Sequence, residues 1–121
     1  MNPDPVSMGT LVFGLNPASV DAACAYLMGF DPELIPIVRQ AFRCEGHPIA
    51  EWDWRDVHLI SNVPEWNKPL PSIADEATFH FEPHFGWKGN IERTRIVKDV
   101  NHGRPGEPVS QASHSTTTSD L

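Results

Sequence analysis

Basic side chains and cysteine are scarce in this sequence, and long apolar runs are missing. Nine Lys and Arg stand against sixteen Asp and Glu, which gives a formal net charge of −7. Nucleic acids and anionic membranes are bound through clustered Lys and Arg, so the charge balance argues against both as partners. The run of roughly 18 apolar residues that a bilayer-spanning helix needs does not occur. The N-terminus also lacks the basic and apolar regions of a secretory signal.

Cysteine is limited to two residues, Cys24 and Cys44. Both lie in apolar surroundings with helical spacing, where reduced thiols in the core are expected rather than a disulfide. Together with the missing signal and membrane span, the composition predicts a soluble cytoplasmic protein.

Proline and glycine are abundant instead, with twelve and eight residues. Because proline ends helices and cannot donate to a strand ladder, we expect short elements separated by fixed bends. Residues 1–8 are predicted to be an extended lead-in, and residues 9–100 to be the C-terminal portion of an α/β domain. Residues 101–121, rich in Ser, Thr, Gly and Pro, are predicted to be a disordered tail.

The clearest local signals lie at the start of the predicted domain. Thr10 to Leu15 is an apolar run typical of a strand buried on both faces. Asn16 and Pro17 then favour a helix start, since Asn can accept from the first-turn amides and Pro suits the first helical position. From Val20 onward, apolar residues at helical spacing form one face of an amphipathic helix, and Gly29 is predicted to end that helix. This face consists of Val20, Ala23, Cys24, Leu27 and Met28.

Later segments extend this unit. Asp31, Pro32 and Glu33 repeat the cap pattern and predict a second helix, with Pro36 tolerated in its first turn. Residues 56–62 alternate like a strand, and residues 78–82 could form a brief edge strand. The predicted fold is therefore α/β, with a partial open sheet in which a strand–helix–helix–strand unit precedes Trp- and Pro-rich loops. One buried strand and one or two partly exposed strands are too few to form a stable sheet. We therefore expect either that the protein pairs its strands with another chain or that the domain is incomplete.

The run GLNPASVDAACAYLMGFDPELIP, with DWRDVHLISN and PHFGWKGNIE further on, resembles the C-terminal part of the domain-of-unknown-function family 362. The resemblance spans roughly residues 9–92 and rests on Asn16-Pro17, Asp21 and the Met28 to Asp31 step. It implies a C-terminal fragment without autonomous catalysis, because family members are longer and hold most of their α/β domain upstream. Members are often associated with iron–sulfur modules, but two cysteines cannot supply the four thiolates of a cluster. No cofactor is therefore expected in this chain.

A ligand site is one interpretation of the polar residues around the first helix. Asp21 could line a cleft at the sheet edge, or it could be a first-turn carboxylate that favours the helix dipole. The turn at Asn16 could bind an anion through free amides, or it could be a structural cap. With Asp31 of the family motif, these residues form the predicted ligand-binding set.

A metal site is a second interpretation, carried by His80, Glu82 and His84. On an extended strand these residues would point the same way, as metal ligands must. Pro83 interrupts the strand, and hydrogen-bonded surface histidines are the alternative. The sequence contains no nucleophile motif that would assign a catalytic residue.

Aromatic residues dominate the second half of the chain. They could seal a loop-rich core, stack on a flat ligand, or form an exposed patch. These residues are Trp52, Trp54, Trp66, Phe85 and Trp87.

The sequence supports three functional hypotheses: a family-362-like fragment, a small metal- or ligand-binding protein, and an interaction module that completes its sheet with a second chain. The sequence leaves open whether the protein is an enzyme.

Overall fold

A computed structural model describes residues 3–94. Helix α1 runs over Pro17–Leu27 and helix α2 over Pro36–Ala41. The remaining regular structure is a series of single 3₁₀ turns: Pro32–Leu34, Trp54–Asp56, Pro64–Trp66, Leu70–Ser72 and Asp75–Ala77. Neither helix is long and apolar enough to cross a membrane, a finding limited to the described residues.

Helix α1 starts and stops as its sequence predicts. The Asn16 side chain accepts a hydrogen bond from the Ser19 amide at 3.0 Å, and Pro17 occupies the first helical position. After the last turn, Gly29 takes a φ of +93°, a backbone conformation that residues with a Cβ atom rarely adopt. The Gly29 and Phe30 amides donate to the Tyr26 and Ala25 carbonyls at 3.0 and 2.9 Å. This pair of bonds is the Schellman arrangement, which satisfies carbonyls that a helix end leaves free.

The predicted second helix is divided in the structure. Asp31 caps the 3₁₀ turn Pro32–Leu34 by accepting from the Glu33 amide, and α2 begins only at Pro36. The reason is Ile35, which has φ −92° and ψ +108° because a residue before proline is pushed out of the helical region.

The core forms around α1. Its buried members are Ala22, Ala23, Tyr26, Leu27, Val38, Trp54, Val57, Trp66, Leu70 and Ile73. The two core tryptophans keep their ring N–H groups hydrogen-bonded. Trp54 donates to Glu33 at 3.1 Å and Trp66 to the Ala77 carbonyl at 2.7 Å. These two residues therefore seal a loop-rich core, as one of the sequence interpretations proposed.

The predicted α/β fold is wrong. No strand forms among residues 3–94, where only two isolated antiparallel bridges occur, Phe30 with Glu92 and His58 with Pro69. The predicted edge strand bonds instead to the end of α1, where the Phe79 and Phe81 amides donate to the Leu27 and Met28 carbonyls. β-Propensity favours an extended chain but does not supply a neighbour to pair with.

The predicted domain boundaries fall partly outside the described residues. Residues 3–8 carry no regular element, and the division into a lead-in and a domain stays a prediction. The predicted tail, residues 101–121, and the end of the predicted domain lie outside the described part of the chain.

Candidate binding surface

The first component of the candidate surface is the extended segment Thr10 to Leu15. Val12 packs against the core, whereas Leu11 and Phe13 on either side of it are 86% and 88% exposed, and Leu15 is fully exposed. Thr10 and Gly14 are exposed as well, so Val12 is the one residue of the segment that is partly buried. Leu11, Phe13 and Leu15 give the segment an apolar outer surface that residues 3–94 leave uncovered.

The backbone of this segment finds no partner in the described part of the chain. Within residues 3–94, no backbone–backbone hydrogen bond involves an amide or carbonyl of Thr10 to Leu15. The side chain of Thr10 bonds only locally, to the Met8 carbonyl at 3.0 Å. An extended chain with free donors and acceptors is a template for pairing with another strand.

The second component is the segment His58 to Ser61. The Leu59 amide donates to the Lys68 carbonyl at 3.2 Å, and the Leu70 amide donates to the Val57 carbonyl at 2.9 Å. Because backbone groups alternate sides along an extended chain, the amides and carbonyls of His58 and Ile60 point away from this neighbour. Those groups make no backbone–backbone bond within the described part of the chain.

Both extended segments line one groove of about 460 Å³. Leu27 of α1 and Trp66 also contribute to its lining, and both are buried residues of the core. The Ile60 side chain is 93% exposed at this groove. The arrangement therefore combines a fixed apolar base with two unpaired backbone edges.

The predicted ligand-binding residues do not converge on this groove. Asn16 caps α1 and also donates through Nδ2 to the Ile49 carbonyl at 2.7 Å, and Asp31 caps a 3₁₀ turn. Asp21 is exposed on α1, where its charge acts on Cys24. Burial, and secondly the Asp21 charge, raise the pKa of the Cys24 thiol. These contacts give Asn16 and Asp31 structural roles, while the ligand hypothesis for the set stays a prediction.

The predicted metal ligands each make a different contact. His80 Nε2 lies 3.9 Å from an Asp75 oxygen, and His84 Nδ1 accepts from the Gly86 amide at 3.2 Å. Glu82 pairs with Lys88 at 2.6 Å, and this hydrogen bond lowers the pKa of the Glu82 carboxyl. Across residues 3–94, no group of three His, Cys, Asp or Glu side chains is placed to hold a metal ion.

The predicted thiols are both free, but they differ in environment. Cys24 is half-buried on α1, whereas Cys44 is exposed beyond the end of α2. The prediction of two unpaired cysteines is confirmed, and the prediction of a core position is wrong for Cys44.

The groove was not apparent from sequence patterns, although the alternation of residues 56–62 placed Ile60 on the outward side. The available signal was the small number of strand-forming segments, which left Thr10 to Leu15 without predicted neighbours.

Two further exposed aromatic residues, Phe85 and Trp87, lie on the turn after Pro83, with exposed fractions of 68% and 49%.

No family model, curated protein or solved structure matches the chain. The resemblance to family 362 therefore stays a prediction, as does the absence of a cofactor that accompanied it.

Proposed function

We propose that this protein is an interaction module that binds an extended segment of another chain by backbone pairing. The observation that carries the proposal is a pair of backbone edges beside one apolar groove: the segment Thr10 to Leu15, and the outward-pointing amides and carbonyls of His58 and Ile60, make no backbone–backbone bond within residues 3–94. Addition of a strand to a free edge is a recurring mode of peptide recognition, in which main-chain bonds provide affinity and side-chain pockets provide specificity.

The side-chain pattern supports a partner that is itself apolar. Leu11, Phe13 and Ile60 are exposed around the groove, and removing large apolar side chains from water favours association. Trp66, which lines the groove, is buried and keeps its ring N–H bonded to the Ala77 carbonyl, so this part of the groove is fixed before a partner binds.

The cytoplasm is the compartment that we propose for this interaction. Cys24 and Cys44 are unpaired, and Cys44 is exposed. Exposed free thiols persist in reducing compartments and are oxidised or paired in secreted proteins.

Peptide binding tests the proposal. The probe is a fluorescein-labelled, end-blocked heptapeptide of alternating Thr and Val, which is extended and carries no charged side chain. Fluorescence polarisation should rise with protein concentration. The same peptide with N-methylated valines should bind about tenfold more weakly or worse, because each lost backbone bond is worth about 1 kcal/mol.

Two substitutions locate the binding. Ile60→Asp places a charge at the groove and should weaken peptide binding, whereas Ile37→Asp changes a residue of α2 that is 79% exposed and does not line the groove. Equal binding of the normal and N-methylated peptides would contradict backbone pairing. Equal loss in both protein variants would contradict the groove as the site.

A further inference from the structure

Resting on the proposed function, we propose that the partner is a second copy of this chain. The Thr10 to Leu15 segments of two copies pair antiparallel about a two-fold axis that passes beside Phe13. Each copy presents the same apolar segment, whose backbone makes no backbone–backbone bond within residues 3–94. A two-fold interface uses one patch twice, so a self-complementary segment is sufficient to form it.

Charge confines contact between two copies to one stretch of the chain. The chain carries a net charge of −7, so most surfaces of two copies repel one another. Residues 5–20 contain no charged side chain, and they include the whole unpaired segment. Two copies can therefore approach along this neutral stretch, while the remaining charges are screened beyond about 8 Å at physiological salt.

One register matches the outward faces of both copies. Directly opposite residues of an antiparallel pair share a face, so the axis must pass beside a residue and not between two residues. With the axis at Phe13, the two Phe13 side chains meet, and Leu11 of each copy lies opposite Leu15 of the other. Val12, which points to its own core, then lies opposite Gly14, which has no side chain to collide with it. An axis at Val12 would instead place Leu15 opposite Gly9, which has no side chain for Leu15 to pack against.

Pairing brings exposed apolar side chains of the two copies into contact. Leu11, Phe13 and Leu15 are each at least 86% exposed. Side chains directly opposite one another on a face of an antiparallel pair lie about 4.5–5.5 Å apart at Cβ, so each covers part of its neighbour and removes apolar area from water. The five paired residues, 11–15, span about 17 Å, so their unused backbone groups add hydrogen bonds along the same contact.

Disulfide trapping tests the register. In a background in which Cys24 and Cys44 are replaced by Ser, Phe13→Cys should cross-link to itself under mild oxidation with copper-phenanthroline and air. Leu11→Cys and Leu15→Cys should each cross-link poorly alone but should form a mixed dimer when combined. Strand neighbours lie within the 4.4–6.8 Å Cα separation that a disulfide needs. Self-linking of Leu11→Cys that exceeds that of Phe13→Cys would overturn the proposed register.

Sedimentation equilibrium of the full chain tests the association itself. We expect a concentration-dependent dimer that Phe13→Asp abolishes, because the two introduced carboxylates would face each other. Ile37→Asp, the matched control on α2, should leave the dimer unchanged. A monomer at every concentration, or a dimer that persists in Phe13→Asp, would overturn the inference. Binding of the Thr–Val peptide by a strictly monomeric chain would show that the proposed function stands while this inference fails.

Discussion

Substitution of Gly29 by alanine tests the close contact between the end of α1 and the chain that follows. Gly29 has a φ of +93°, and a Cβ atom at this position would lie 2.7 Å from the Phe79 carbonyl oxygen. Real Cβ atoms do not approach a backbone oxygen so closely, so the backbone must shift. The Phe79 amide donates to the Leu27 carbonyl at 2.7 Å, so moving Phe79 weakens that bond as well.

Two terms set the expected magnitude. Holding a residue other than glycine at positive φ costs about 1–2 kcal/mol. Forcing extra atoms into a packed site typically adds about 1–3 kcal/mol. We therefore expect Gly29→Ala to lower the free energy of unfolding by about 2–5 kcal/mol, a large part of the ~5–15 kcal/mol that stabilises an ordinary domain.

Gly46→Ala provides the matched control. Gly46 has a φ of +89°, but a Cβ atom there would meet no atom within 4 Å. Both substitutions strain the backbone and both reduce the entropy of the unfolded chain, so these effects largely cancel in the comparison. The difference between the two variants isolates the contact with the Phe79 carbonyl.

Urea unfolding followed by circular dichroism and by tryptophan fluorescence measures this difference. Gly29→Ala should be less stable than Gly46→Ala by about 1–3 kcal/mol at unchanged m, or by roughly 5–20 °C in Tm. Protein concentration must be held constant, because association would also shift the transition. Equal stabilities of the two variants would refute the close approach of residues 29 and 79.

Two further predictions concern titrating groups. Burial and the Asp21 charge raise the pKa of the Cys24 thiol, whereas Cys44 is exposed, so iodoacetamide at pH 8 should modify Cys44 quickly and Cys24 slowly. Cys44→Ser should remove the fast phase of the reaction. Asp21→Asn should accelerate the slow phase. For Asp53, burial alone would raise the pKa, but hydrogen bonds from the Arg55 amide and side chain, with the charges of Arg55 and Arg43, lower it overall. The ionised Asp53 therefore stabilises the fold above its unfolded-state pKa, and this contribution is lost as pH falls through the lower folded-state pKa. Asp53→Asn should make the loss of urea stability on acidification shallower, whereas an unchanged pH dependence would contradict a role for this carboxylate.

Local features of the fold could be predicted from the sequence because they depend on near neighbours. The Asn16 cap, the helix after Pro17 and the turn at Gly29 each follow from backbone geometry within a few residues. The alternation of Val57 and Leu59 against His58 and Ile60 also predicts which side chains turn inward. The same local reasoning fails at Ile35, where the proline that follows outweighs the helical spacing.

The fold class and the candidate surface were decided by tertiary structure. Whether Thr10 to Leu15 becomes a strand depends on a neighbour that it can bond to, and no periodicity in the segment encodes that neighbour. In the structure the chain near Phe79 bonds to the end of α1 instead, and within residues 3–94 the apolar segment keeps an unpaired backbone and an exposed outer face. The sequence by itself determined the helix, its caps and the apolar character of this segment, because those properties are local. Long-range hydrogen bonding determined that the segment stays uncovered, because pairing is a property of two segments and not of one.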